Sequence, residues 1–161
     1  MDGNIVVGIS DLQVAKAPKT IVTYALGSCV GICLYDSSSK VGGLAHIMLP
    51  NSLTGTQPIN KMKYADSAIP ELIRQMEQKG AIRRNLVAKI AGGAQMFEGN
   101  SNSRIAQIGK SNTQAVKEVL QSQNIYLKSE DTGANYGRSV FMNLENGSVT
   151  IKSVGNKIKE I

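Results

Sequence analysis

Chemistry in this chain has few places to start. There are two cysteines, Cys29 and Cys33, and one histidine, His46. Cys29 stands in "YALGSCVGICLYD", where Gly27 and Ser28 lead out of a loop into an apolar run. A thiolate is a nucleophile, and a nearby imidazole either holds it as an ion pair or takes its proton. Backbone N–H groups of the Gly27–Ser28–Cys29 turn can hold an oxyanion. A third group that orients the imidazole completes such a site. Thr23, just upstream, offers a hydroxyl for that role.

Other chemistries are poorly supplied. A structural zinc site asks for about four Cys and His ligands; this chain has three such residues, without C-x2-C spacing. "AGGAQMFEG" lacks the phosphate-binding G-x-x-x-x-G-K-[ST] pattern, and no G-x-S-x-G is present. No metal and no cofactor are expected. If Cys29 and Cys33 share one strand, four steps of ~3.3 Å place them ~13 Å apart, against a disulfide limit of ~7 Å. Two free thiols are expected, as suits a reducing compartment.

Each residue also has a purely structural reading. Cysteine is among the most buried residue types, and Cys33 inside "GICLY" reads as core. A lone strand histidine is often a hydrogen-bonded core residue, and Thr23 taken singly is a strand former. What favours chemistry is pairing. If 29–35 and 41–49 form a hairpin through "DSSSK" (36–40), position 29 falls near 46 or 47, beside His46. On residues alone, a thiol hydrolase or transferase and a set of core residues both stand, and no substrate is indicated.

The elements that must position these residues are mostly strands. Residues 4–10, 12–16, 20–26, 29–35, 41–49, 85–94 and 125–131 read as β. Two alternating runs over 138–154 flank Asn146-Gly147, a strong hairpin signal. One helix is predicted from Ala65, Ala68, Ile69, Leu72, Ile73 and Met76, with Pro70 either near its first turn or kinking it, and Gly80 as its stop. A second is predicted over 111–123, capped by Ser111 or Asn112, with Val116, Val119 and Leu120 inward. The sum is one α+β domain over 1–161, with packed β-sheet as core and helices covering its outer faces. "DTGANYGRS" (131–139) reads as a loop, and its Arg138 as a candidate anion contact.

Bulk composition narrows the class. At 161 residues and 42% apolar content, roughly 70% of the chain's surface can be buried without staples. The net charge of +6 is spread out, there is no Trp, and aromatics are 4%, so nucleic-acid binding is not expected. No apolar run approaches the ~20 residues of a membrane span. "MDGNIVVGIS" lacks the basic start of a signal peptide, so a cytoplasmic protein is expected.

"TYALGSCVGICLYD" followed by "VGGLAHIMLP" resembles the chemoreceptor glutamine deamidase family CheD. The resemblance continues through "KYADSAIPELI", "AKIAGGAQMF", the "IG" before the second predicted helix, and "EDTGANYGRSV", so it spans roughly 4–154 in order. It implies hydrolysis of glutamine side-chain amides on methyl-accepting chemotaxis receptors, giving glutamate and ammonia. It places the nucleophile on Cys29, the histidine on His46 and the threonine on Thr23. It implies a fold like that of the deamidases related to cytotoxic necrotizing factor, and the chemotaxis phosphatase CheC as partner. Gly27 and Ser28 are the oxyanion candidates, and Phe97 is a candidate substrate or partner contact. A binding module that tunes the phosphatase or the receptor–kinase coupling is the rival reading, and a redox-sensing thiol a third.

Overall fold

The computed structural model describes residues 3–52, 60–96 and 104–161, with the backbone alone for 104–106. The elements run β1 (Ile5–Val7), β2 (Asp11–Lys16), β3 (Thr20–Leu26), β4 (Val30–Asp36), β5 (Val41–Ile47), α1 (Ala65–Gln78), β6 (Val87–Gly92), α2 (Arg104–Ser122), β7 (Tyr126–Thr132), β8 (Arg138–Asn143), β9 (Val149–Ser153) and β10 (Lys157–Glu160). They build an α+β structure with two mixed five-stranded sheets. The first has the order β1-β3-β8-β9-β10 and the second β2-β5-β4-β6-β7. β1 runs parallel to β3, and β6 parallel to β7. A parallel pair needs a long crossover, which α2 supplies between β6 and β7.

Burial explains the sequence pattern. β5 is buried at every position, and β4 at all but Tyr35. One face carries Ile32, Leu34, Ala45 and Ile47, which pack with Ile69, Leu72 and Met76 of α1 and with Val116 and Leu120 of α2. The other face carries Cys33 and Leu44, which pack with Ile21, Val140 and Met142 of the first sheet. Covered on both sides, these strands read as continuous apolar runs. β8 alternates between buried and half-buried residues, because only its inner face has a layer against it.

The helices therefore do not cover both outer faces, as the sequence suggested; both lie on the second sheet. The outer face of the first sheet leaves Val6, Tyr24 and Ile158 exposed. A tightly spaced pair of sheets is possible where β5 carries glycine. A Cβ on Gly42 would come within 2.3 Å of Leu144 Cδ2 across the sandwich.

α1 takes the expected buried stripe, and Pro70 sits within its second turn without ending it. α2 differs from expectation: it begins at Arg104, so Ser111 and Asn112 lie inside it and do not cap it. Gly109 and three polar residues after it mimic a helix start, but the helix runs straight through them. β10 was missed, because "KIKE" reads as a charged tail. A turn through Gly155 and Asn156, both at positive φ, folds it back onto β9.

Candidate active site

Thr23 and His46 meet between the two sheets, and Cys29 stands in the turn just before β4, the strand that pairs with β5. Thr23 lies on β3 of the first sheet, and His46 on β5 of the second. Their side chains bridge the sheets, with Thr23 Oγ1 and His46 Nδ1 2.7 Å apart. The Thr23 hydroxyl also donates to the Val7 carbonyl at 2.8 Å, where β1 pairs in parallel with β3. A hydroxyl has one hydrogen. With that hydrogen on Val7 O, the bond to the ring must run from Nδ1–H to Oγ1. The proton is thereby fixed on Nδ1, and Nε2 keeps its lone pair.

His46 is only 1% exposed, and among the described residues Nε2 has no hydrogen-bond partner. A buried polar atom without a partner is uncommon and calls for an explanation. Burial lowers the His46 pKa to about 4. Burial raises that of the half-buried Cys29 thiol, against the opposing pull of its own backbone N–H. Both shifts favour the neutral forms, thiol and imidazole, over an ion pair. Of the two uses of an imidazole read from the sequence, this environment favours taking the proton.

The hairpin register differs from expectation by one to two residues. β4 begins after Cys29, Val30 pairs with Ile47, and Gly31 pairs with His46. The connection over 37–40 and the pairing of Asp36 with Val41 set that register. Cys29 thus sits just before the strand, diagonal to His46. The residue directly opposite His46 is Gly31, and Leu26 Cδ1 and Thr23 Cγ2 lie 3.2 and 3.7 Å from where its Cβ would stand.

The Gly27–Ser28–Cys29 turn is held by its carbonyls. Gly27 O accepts from the Ala94 N–H at 2.9 Å and Cys29 O from the Gly93 N–H at 2.8 Å. Ser28 O accepts from Asn112 Nδ2 at 2.9 Å. Among the described residues none of the turn's own N–H groups donates to a backbone carbonyl. Gly92 must be glycine for this contact, since its φ is +114° and a Cβ there would lie 2.2 Å from Cys29 O.

Asn112 is the residue that sequence reasoning missed. It is fully buried, and its Nδ2 also donates to Met48 O at 2.8 Å. The available signal was a polar residue on the stripe of Ala115, Val116 and Leu120, once Gly109 is read as lying inside the helix. Arg138 is not an anion contact. Its guanidinium is held by Asp131 at 3.0 Å and Gly133 O at 2.9 Å, and it stacks on Tyr136. Phe97 lies outside the described residues; nearby Met96 lies over Gly27. Cys33 is buried between the sheets, its thiol pushed up to about 12 by burial.

A cavity of about 520 Å³ opens beyond the Gly93 turn, lined by Gln95, Lys110 and Thr113 among others; Cys29 and His46 do not line it. Among the described residues no group of three or more His, Cys, Asp or Glu side chains is placed to hold a metal ion. None of the described helices is long and apolar enough to cross a membrane.

Comparison with known proteins places the chain. A family described as "CheD chemotactic sensory transduction" matches residues 48–153. That match begins just beyond His46, whereas full-length relatives extend over nearly the whole chain. A protein of Clostridium novyi is 52% identical over 155 residues, 96% of each chain. One of Clostridium botulinum is 50% identical over 96% of each, and one of Syntrophomonas wolfei 48% over 94% of each. All three carry the name "Probable chemoreceptor glutamine deamidase CheD". With half its residues shared across almost its whole length, the chain belongs to the CheD chemotactic sensory transduction family.

Proposed function

We propose that this chain is a chemoreceptor glutamine deamidase in which Cys29 is the nucleophile, His46 the general base and acid, and Thr23 the residue that orients His46. The observation that carries the reading is the Val7–Thr23–His46 relay. It fixes the ring proton on Nδ1 and leaves a bare, buried Nε2 on the strand that pairs with β4, which Cys29 immediately precedes. The Nδ1–H bond would serve a core histidine as well, but the unpaired Nε2 would only cost it, whereas a base needs that atom bare. The names of the relatives supply the substrate.

The chemistry follows from that placement. A primary amide is a weak electrophile, so it needs a strong nucleophile and a stabilised oxyanion. Nε2 takes the thiol proton as Sγ attacks the glutamine Cδ. The carbonyl oxygen becomes an oxyanion facing the N–H groups of the Gly27–Ser28–Cys29 turn. Nε2–H then protonates the leaving nitrogen, ammonia departs and a thioester remains. Water enters, Nε2 takes its proton, and hydroxide attacks the thioester. The tetrahedral intermediate expels the thiolate, which recovers its proton from Nε2–H. The balance is one water consumed and one ammonia released, with glutamine converted to glutamate.

The wider reading has the chain act as a single domain over 1–161, in the cytoplasm, with CheC competing with receptor for its surface. The fold we propose is that of the cytotoxic necrotizing factor-like deamidases, a reading supported by two packed sheets with both helices on one of them. The test is ammonia release with peptide mass mapping on a receptor cytoplasmic fragment. Cys29→Ala and His46→Ala should abolish glutamine-to-glutamate conversion, and Cys33→Ala should retain it. Full activity in Cys29→Ala overturns the assignment. No conversion by wild type turns the reading to the binding module.

A further inference from the structure

Both hydrogens of one buried amide join the two halves of the candidate site. Asn112 Nδ2 reaches Ser28 O at 2.9 Å and Met48 O at 2.8 Å. Ser28 precedes Cys29, and Met48 lies two residues beyond His46. The loop that carries the thiol and the strand end that carries the imidazole are therefore tied to the same nitrogen.

The helix face alone does not explain this residue. Asn112 occupies a fully buried position on the stripe of α2 that Ala115, Val116 and Leu120 continue. Alanine or leucine is the better helix former and the better core residue there. Asn112 Oδ1 is moreover buried with no partner among the described residues. An unpaired buried acceptor is destabilising, so the side chain is present for its donors.

The rest of this stretch of α2 is shaped for the same contact. A Cβ on Gly109 would lie 2.3 Å from Ala94 O and 2.6 Å from Gly93 O. Only glycine lets the helix press against the turn whose N–H groups hold Gly27 O and Cys29 O. Gly109 sets how near the helix comes, and Asn112, one turn on, fixes the loop and strand end to it.

We propose that Asn112 is a positioning residue that sets the distance and angle between Cys29 Sγ and His46 Nε2. The proposal rests on the Cys29–His46 reading above. Reacting groups lose about 100-fold in rate from a misplacement of about 1 Å, and an untied loop is free to shift that far.

The experiment compares wild type, Asn112→Leu, Asn112→Ser and Val116→Ala. Val116→Ala loosens the same helix face without touching the loop. The readouts are kcat and KM on a receptor cytoplasmic fragment, the Tm, and the pH dependence of Cys29 alkylation by iodoacetamide. Asn112→Leu should lower kcat by roughly 100-fold with KM within about threefold, the signature of a defect in the reacting geometry. Its alkylation profile should move to that of His46→Ala, because the base no longer reaches the thiol. Asn112→Ser, which restores one donor, should be intermediate, and it carries the test if Asn112→Leu does not fold. Val116→Ala should lower the Tm and leave kcat and the alkylation profile unchanged.

The proposal is overturned if a folded Asn112→Leu or Asn112→Ser keeps wild-type kcat and alkylation. It is equally overturned if Val116→Ala loses kcat in the same proportion to its fall in Tm. If Cys29→Ala is inactive while the Asn112 variants behave as wild type, only this proposal fails. If Cys29→Ala is active, the catalytic reading beneath it fails as well.

Discussion

Replacing Thr23 with valine removes one oxygen and almost nothing else. Valine keeps the branched shape and favours a strand as strongly as threonine, so β3 should form normally. Two polar groups lose their partner: Val7 O, and the ring Nδ1–H of His46. Each buried group left unmade costs about 1–3 kcal/mol. Part of that penalty falls on stability, and part falls selectively on the tautomer that catalysis needs. A bias of about 1–3 kcal/mol against the Nδ1–H form lowers its population, and hence kcat, roughly 5- to 150-fold. The assay is unusually clean, because His46 is the one histidine in the chain. Nitrogen-15 NMR of the imidazole then reports a single ring. Wild type should show a protonated Nδ1 and a bare Nε2. Thr23→Val should shift the proton to Nε2 and lose kcat in step, and Thr23→Ser should restore both. A Thr23→Val protein that keeps its proton on Nδ1 and its kcat within about twofold would refute the relay argument, as would wild type protonated on Nε2.

The lowered His46 and raised Cys29 pKa values predict a broad kcat/KM–pH profile, with an acid limb near 4 and an alkaline limb above 9.0; an acid limb near 6.5 would contradict the buried neutral base. The same shift predicts acid sensitivity: the unfolded chain binds the proton more readily, so the contribution is complete above 6.5 and lost as pH falls to about 4. That contribution is at most about 3 kcal/mol, measured as a falling urea midpoint that His46→Gln should not share. Cys33, raised to about 12 and buried, should escape alkylation at pH values where Cys29 reacts, and should label only on unfolding; mass mapping of the labelled sites decides this. Gly42→Ala should destabilise by about 1–3 kcal/mol through overpacking, since its Cβ would meet Leu144 and Met142 across the sandwich. Gly8→Ala, which meets nothing within 4 Å, should have little effect in the same urea titration.

Much of the fold was legible where one residue pattern answers to one layer. The apolar runs of β4 and β5 announced strands covered on both faces, and the stripe from Ala65 to Met76 announced α1. Layer order was not legible, because periodicity says that a face is buried without saying by what. The start of α2 was misread because Gly109, Ser111 and Asn112 are residue types that usually end or begin helices. Here a tertiary demand, close approach to the Gly93–Ala94 turn, overrides their local preference. For the site, the residue types alone suggested Cys29, His46 and Thr23. The register they needed was off by one to two positions, since a polar connection of uncertain turn type fixes it. The wiring through Val7 and Asn112 was beyond reach: one partner is a backbone carbonyl, and the other comes from more than sixty positions downstream of His46.

The relay spans the seam between two separately hydrogen-bonded layers. Val7 and Thr23 belong to one sheet and His46 to the other, and the 2.7 Å contact joins them, as Arg138–Asp131 and Lys159–Asp131 join the sheets elsewhere. A hydrogen bond weakens steeply as its angle closes, so a small shear of one layer against the other is felt first at this contact. The imidazole is therefore a gauge of sheet alignment. Repacking, pressure or a ligand that shears one layer against the other will register as a change in proton location before any strand unpairs.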